Sequence, residues 1–105
     1  MLFKLKRDEE TTREFELCAL SIDDCADIQD FLKYNEDGSI SNWNKTLIRI
    51  ARKKIIGLIG FESKEFNDEI LVKTYGNLLN AMSALAEIGS HLMSQSRISE
   101  DETKN

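Results

Sequence analysis

Few residues in this 105-residue chain could carry chemistry, and their spacing limits what that chemistry could be. Cys18 and Cys25 are the only cysteines, seven positions apart, and His91 is the single histidine. A structural zinc site takes four ligands, commonly in closely spaced Cys or His pairs, so no metal is expected here. The two thiols are expected to be reduced and packed as small hydrophobes. Asp23, Asp27 and Asp30 recur at steps of four and three, which places them on one face of a helix. A convex face lacks the converging oxygens a cation needs, so this is read as a solvated acidic face. No nucleophile has an evident base beside it, and neither a glycine-rich phosphate loop nor a serine elbow is present. The residues therefore point away from an enzyme and from any cofactor.

The other charged feature is basic. Lys45, Arg49, Arg52, Lys53 and Lys54 place five cations and no carboxylate on one short stretch. Such a helix could contact phosphates within a helical DNA-binding regulator. Against this, the formal net charge is −5, aromatic residues do not interleave the cations, and phosphate binding draws on a positive local field. Nucleic acid is therefore the lesser reading. The other reading sets the acidic and basic helices against each other or against a charged partner, where opposed charges steer and register an interface.

The elements that would position these groups follow from periodicity. Leu2 to Arg7 and Arg13 to Leu17 alternate apolar and charged residues, the half-buried strand pattern. Pairing Phe3 with Leu17 and Leu5 with Phe15 predicts a hairpin looped at Asp8 to Thr12, with Lys4 opposite Glu16 and Lys6 opposite Glu14. A lone hairpin is marginal, so its apolar face needs a helix or another strand. Ser21 and Asp24 signal a helix start, and Ile22, Cys25, Ile28 and Leu32 predict its buried stripe. A second helix is predicted from Asn44 to Ile59, buried along Ile48, Ala51, Ile55 and Leu58 and ended by Gly60. Asn67 is expected to cap a third, long helix. In it Leu71, Tyr75, Leu78, Met82, Leu85, Gly89 and Leu92 alternate in steps of four and three, flanked by Leu79, Ala86 and Met93. The fold class expected is α+β, mostly helical, with an N-terminal β-hairpin and three helices, the last one long. One domain over residues 1–93 and a disordered polar tail over 94–105 complete the expectation.

Composition agrees with a folded chain, at 41% hydrophobic and 31% charged, without a single proline to interrupt helices. The longest apolar run, Ile55 to Phe61, is far short of the roughly 20 residues a membrane span takes. The first seven residues alternate apolar and basic side chains, unlike a secretory signal. A soluble cytoplasmic protein is expected, without membrane contact.

A seam longer than either preceding helix suggests that part of it overhangs the domain as a partner or self-association surface. The residues expected there are Leu71, Tyr75, Leu78, Met82, Leu85, Ile88, Leu92 and Met93, rimmed electrostatically by Arg49, Arg52 and Lys53.

The order of parts resembles a known family. A Phe-x-Leu hairpin leads to the helix start Leu20-Ser21-Ile22-Asp23-Asp24, then to Ile56-Gly57-Leu58-Ile59-Gly60-Phe61, an acidic turn, and a last helix with Leu78-Leu79-Asn80-Ala81-Met82. This resembles the small tail assembly chaperones of long-tailed bacteriophages over roughly Phe3 to Ala86. Many members carry proline and a Glu-Leu pair in the turn that here reads Glu65-Phe66-Asn67. The resemblance implies a helical partner, the tape-measure protein, kept soluble until the tail tube polymerises around it. It also implies self-association, residence in the host cytoplasm, and correspondence to the shorter of two translational forms. The alternatives are the DNA-binding regulator and an inhibitor of a host protein.

Overall fold

The computed structural model describes residues 1–96. Strand β1 is Leu2–Phe3 and β2 is Glu14–Leu17, and a 3-10 turn at Lys6–Asp8 lies between them. Helix α1 spans Ile22–Phe31 and α2 spans Trp43–Lys54. Strand β3 is Ile55–Ile59, followed by α3 at Asp68–Tyr75 and α4 at Leu78–Gln95. The architecture is α+β and mostly helical, with the N-terminal hairpin extended into an antiparallel sheet of order β1-β2-β3. No helix among the described residues is long and apolar enough to cross a membrane.

The hairpin forms in a different register from the one expected. Phe3 pairs with Phe15 and Leu2 with Glu16, two residues away from the predicted alignment. A slip of two keeps every side chain on its own face, so alternation does not discriminate between the registers. Leu5, Phe15 and Leu17 are accordingly buried as expected. The chain turns early because Leu5 opens the 3-10 turn, so the predicted lysine–glutamate pairs do not form. Lys4 instead donates to the Thr11 carbonyl, and the Lys6 N–H donates to Glu87 at 2.9 Å.

Helix α2 ends five residues before the predicted point. Ile55 to Ile59 is rich in β-branched side chains, which favour a strand, and Gly57, poor for a helix, sits beside the bulge. As β3 it supplies the third strand a marginal hairpin requires. A bulge opposite Glu16 and Leu17 leaves Ile56 as the extra residue, exposed, while Ile55 and Leu58 face the core. Gly60 has φ 79°, as a left-handed position does, but it ends a strand rather than a helix. A Cβ there would lie 2.5 Å from the Thr12 carbonyl oxygen.

The predicted long helix is two helices. Gly76, at φ 98°, stops α3, and Asn77 starts α4 by accepting the Asn80 N–H at 2.8 Å. Asn67 caps α3 through the Ile70 N–H at 2.9 Å, as its position predicted. The polar tail was expected from Ser94, but α4 runs to Gln95; the remainder of that tail, residues 97–105, lies outside the described residues.

The core lies between the inner sheet face, α2 and α4. Phe15, Leu17, Leu47, Ile50, Ala51, Leu71, Leu85, Ile88, Leu92 and Met93 are all buried there. Gly89 is the point of closest helix approach, where α4 rests on the Leu47 backbone of α2. Helix α1 sits at the edge. Its predicted stripe is only half realised: Ile28 and Leu32 are buried, Cys25 is half-buried and Ile22 is 89% exposed. Ile22, the first helical residue after the Ser21 cap, is left in solvent at the end of α1.

Candidate protein-binding surface

The break at Gly76 decides which apolar residues reach the surface. A continuous helix would have run the seam along one side. Two separate helices rotate its parts differently, and most of the predicted partner residues are sealed inside. Leu71, Ile88 and Leu92 are 0% exposed, Met93 2% and Leu85 4%. The expected overhang at the C-terminal end of the seam is therefore absent, because α4 packs along α2 down to Leu92 and Met93.

Leu78 and Met82 are the exception, together with their neighbour Leu79. They are 68%, 44% and 76% exposed. Leu78 and Met82 are four apart and Leu79 and Met82 three apart, so the three side chains form one patch on the first turns of α4. Polar groups edge it. Arg7 donates to the Asn80 carbonyl at 3.2 Å and to the Ser83 hydroxyl at 3.1 Å, and Asn80 donates to the Tyr75 carbonyl at 2.9 Å. An apolar centre with a polar, cationic edge is the anatomy of a protein-binding surface. The Gly76-Asn77 pair was the sequence signal for this site, since glycine then asparagine is a helix stop and restart.

Tyr75, also expected in the partner surface, is half-buried and engaged elsewhere. Its hydroxyl donates to Asp8 at 2.6 Å, and Arg13 donates to the other Asp8 oxygen at 3.0 Å. Asp8 is 0% exposed. The guanidinium groups of Arg7 and Arg13 lie 5.5 and 5.9 Å from the Tyr75 ring centre. Burial, then the hydrogen bond to Asp8 and its charge, hold the phenol well above its ordinary value, with Arg13 and Arg7 partly opposing. The hydroxyl thus stays protonated and keeps donating. With both oxygens of Asp8 occupied, the cluster acts as a clasp that ties the 3-10 turn to α3.

The predicted rim residues do not border the apolar patch. Arg52 pairs with Asp68 at 3.0 Å, and Lys53 with Asp27 at 3.0 Å and Asp24 at 3.2 Å. Arg49 lies over the Phe31 ring at 4.4 Å. These three cations and Lys45 line an open groove of about 700 Å³ whose apolar parts are Phe31, Ile48 and Phe66. The acidic and basic helices do face one another, and Asp24 is where they meet. Asp24, expected as part of the helix start, is buried. It completes a capping box with Ser21 and pairs with Lys54 as well as Lys53. Asn42 fixes the turn between the helices, accepting the Lys33 N–H at 2.9 Å and donating to the Phe31 carbonyl at 3.0 Å.

Burial on its own raises the Asp24 carboxyl, but hydrogen bonds from Lys54, Ser21 and Lys53 outweigh it and hold the group far below the usual carboxylate range. A carboxyl lowered in the folded state stabilises above its unfolded value, about 3.9, and that contribution is lost as pH falls through the folded value. Asp24→Asn is expected to be less stable than the wild type at neutral pH. The gap in thermal midpoint should narrow steadily below about pH 4. A gap that stays constant from pH 7 to pH 2 would remove Asp24 from the acid response.

His91 stacks on Phe3 with ring centres 4.1 Å apart, and burial lowers its pKa. Cys25 is half-buried, but Cys18 is exposed rather than packed inside, because β2 ends at Leu17. No group of three or more His, Cys, Asp or Glu among the described residues could hold a metal ion. The chain matches no protein-family model, no curated protein and no solved structure.

Proposed function

We propose that this domain binds protein, holding an apolar stripe of a helical partner against Leu78, Leu79 and Met82. The observation that carries the reading is the exposure of those three large side chains on adjacent turns of α4. Each leaves apolar area in water that a partner would cover, at roughly 25 cal/mol per Å². Exposed aliphatic residues grouped in this way mark interaction surfaces, whereas scattered ones do not. The partner that fits the family resemblance is the tape-measure protein of a long-tailed phage, a long helical chain with apolar surface to shield. On this reading the domain is a tail assembly chaperone, acting in the host cytoplasm and without catalysis.

The test is co-expression with a tape-measure fragment, measuring how much of the fragment stays soluble and co-purifies. Leu79→Asp should leave the circular dichroism spectrum unchanged, because the side chain is exposed, and weaken capture about 30-fold, as loss of an interface anchor does. A folded Leu79→Asp variant that captures the fragment like the wild type would reject the surface. A wild-type chain that leaves the fragment insoluble would reject the partner.

A further inference from the structure

The outer face of the sheet carries side chains that a face left in water ordinarily lacks. An antiparallel sheet with one solvated face sets apolar residues inward and polar ones outward. The inward set is regular here: Phe15, Leu17, Ile55 and Leu58 are buried. The outward positions of the pairing are Leu2, Glu14, Glu16, Gly57 and Ile59. Leu2 is 56% exposed, the bulged Ile56 62% and Ile59 42%. Three large aliphatic side chains thus lie open around one carboxylate. Leu2 pairs with Glu16 and Glu16 with Gly57, so these three form a single row across the strands.

Gly57 opens that row into a groove. A Cβ there would lie 3.2 Å from Glu16 Oε2 and 3.9 Å from the Lys64 carbonyl oxygen, so the carboxylate leans over the space a side chain would fill. The groove holds about 450 Å³ and is walled by Ile56, Ile59, Phe61 and Lys64. Among the described residues, no hydrogen bond or ion pair engages the Glu16 side chain, and Lys64 forms no ion pair. Lys4 is taken up by the Thr11 carbonyl. The Leu58 N–H donates to the Lys64 carbonyl at 3.0 Å, so the turn after β3 occupies the strand's free edge there and leaves the face open.

We propose that this face binds a segment of another protein that presents a lysine or arginine between aliphatic side chains. The cation meets Glu16, its methylene stem lies along Gly57, and the flanking aliphatics cover Leu2, Ile56 and Ile59. Long cationic side chains lay an apolar stem on apolar surface in this way while the charged head stays paired. Charge selects the occupant. A purely aliphatic segment would bury Glu16 without a partner, which is costly. An acidic segment or a nucleic acid would meet like charge. A second copy of this chain would bring the same face, and with it another Glu14 and Glu16, against the first. Apolar burial supplies the affinity and Glu16 the specificity.

The experiment is an NMR shift titration of the isotopically labelled full chain with a blocked Ile-Gly-Arg-Gly-Ile peptide. When extended, that peptide sets its two isoleucines and its arginine on one side. The amide signals of Glu16, Gly57 and Ile59 should move saturably, and the same peptide with glutamate in place of arginine should bind about 10-fold more weakly or worse. Glu16→Gln keeps the shape, removes the charge, and should weaken binding about 10-fold. Gly57→Ala should fold, since its Cβ displaces only the flexible end of Glu16, and should weaken binding by a similar factor. Glu16→Lys should reverse the preference between the two peptides. Leu79→Asp should bind the arginine peptide like the wild type, so this surface and the Leu78 patch fail or stand separately. No saturable shift with millimolar peptide overturns the proposal, as does a Glu16→Gln variant that binds like the wild type. Equal binding of both peptides removes the cation from the account. Shifts that depend on protein concentration alone and vanish in Ile56→Asp assign the face to a second copy instead.

Discussion

Gly89→Ala is expected to destabilise the domain by about 2 kcal/mol or more, the reverse of the usual effect of that change inside a helix. Alanine is normally preferred over glycine at an internal helical position by about 1 kcal/mol. Here the added Cβ would stand 2.1 Å from the Leu47 carbonyl oxygen, 2.7 Å from its carbon and 2.8 Å from its α-carbon. All three are backbone atoms, so no rotamer change relieves the clash, and α2 and α4 must separate. Overpacking of this kind costs about 3 kcal/mol, which outweighs the propensity term. In a domain of this size the net loss lowers the thermal midpoint by about 10 °C. Ser90→Ala, one residue on and exposed, makes the control, because it carries the propensity change without the contact. A Gly89→Ala variant as stable as that control would show that α4 does not rest on Leu47.

The second large effect is expected at Asp8. Asp8→Ala removes the acceptor for both Arg13 and the Tyr75 hydroxyl, and breaking such a buried pair costs about 3 to 5 kcal/mol. The lower end applies, since the Arg13 side chain is 32% exposed and rehydrates in part. Tyr75→Phe removes a single hydroxyl and should cost about 1 kcal/mol. Denaturant midpoints of the two single variants and the double variant give the coupling directly, and it should be clearly non-additive. If Asp8→Ala and Tyr75→Phe simply add, the clasp is two unrelated contacts. If Asp8→Ala leaves the midpoint where it was, the 3-10 turn needs no clasp at all.

The clasp and the glycine contact show why the sequence was informative in places and silent in others. Capping signals are local, and they were legible: Ser21 with Asp24 starts α1 and Asn67 starts α3, each where the residues placed it. The alternation of the first 17 residues also marked the sheet's inner face correctly. What it lacked was register, because a two-residue slip preserves both faces. Asp8 offered no signal of its burial, since the hydroxyl that completes its set of donors beside Arg13 lies 67 positions away, at Tyr75.

The candidate site was legible in part for the same reason. Apolar spacing identified Leu78 and Met82 as part of a seam, and a seam is all that spacing defines. Which portion of it meets water depended on the left-handed backbone at Gly76, which gives α3 and α4 independent directions. By itself, then, the sequence determined the fold class, the starts of α1 and α3, the alternation of the hairpin and the segregation of charge between α1 and α2, all properties of residues close together along the chain. Tertiary structure alone decided that Ile55 to Ile59 is a strand, that Asp8 and Asp24 are buried, and that Leu78, Leu79 and Met82 remain outside while Leu85 and Leu92 do not. Each of those outcomes rests on a neighbour distant in sequence: β2 for the strand, Tyr75 and the two lysines for the carboxylates, and α2 for the face of α4 that disappears.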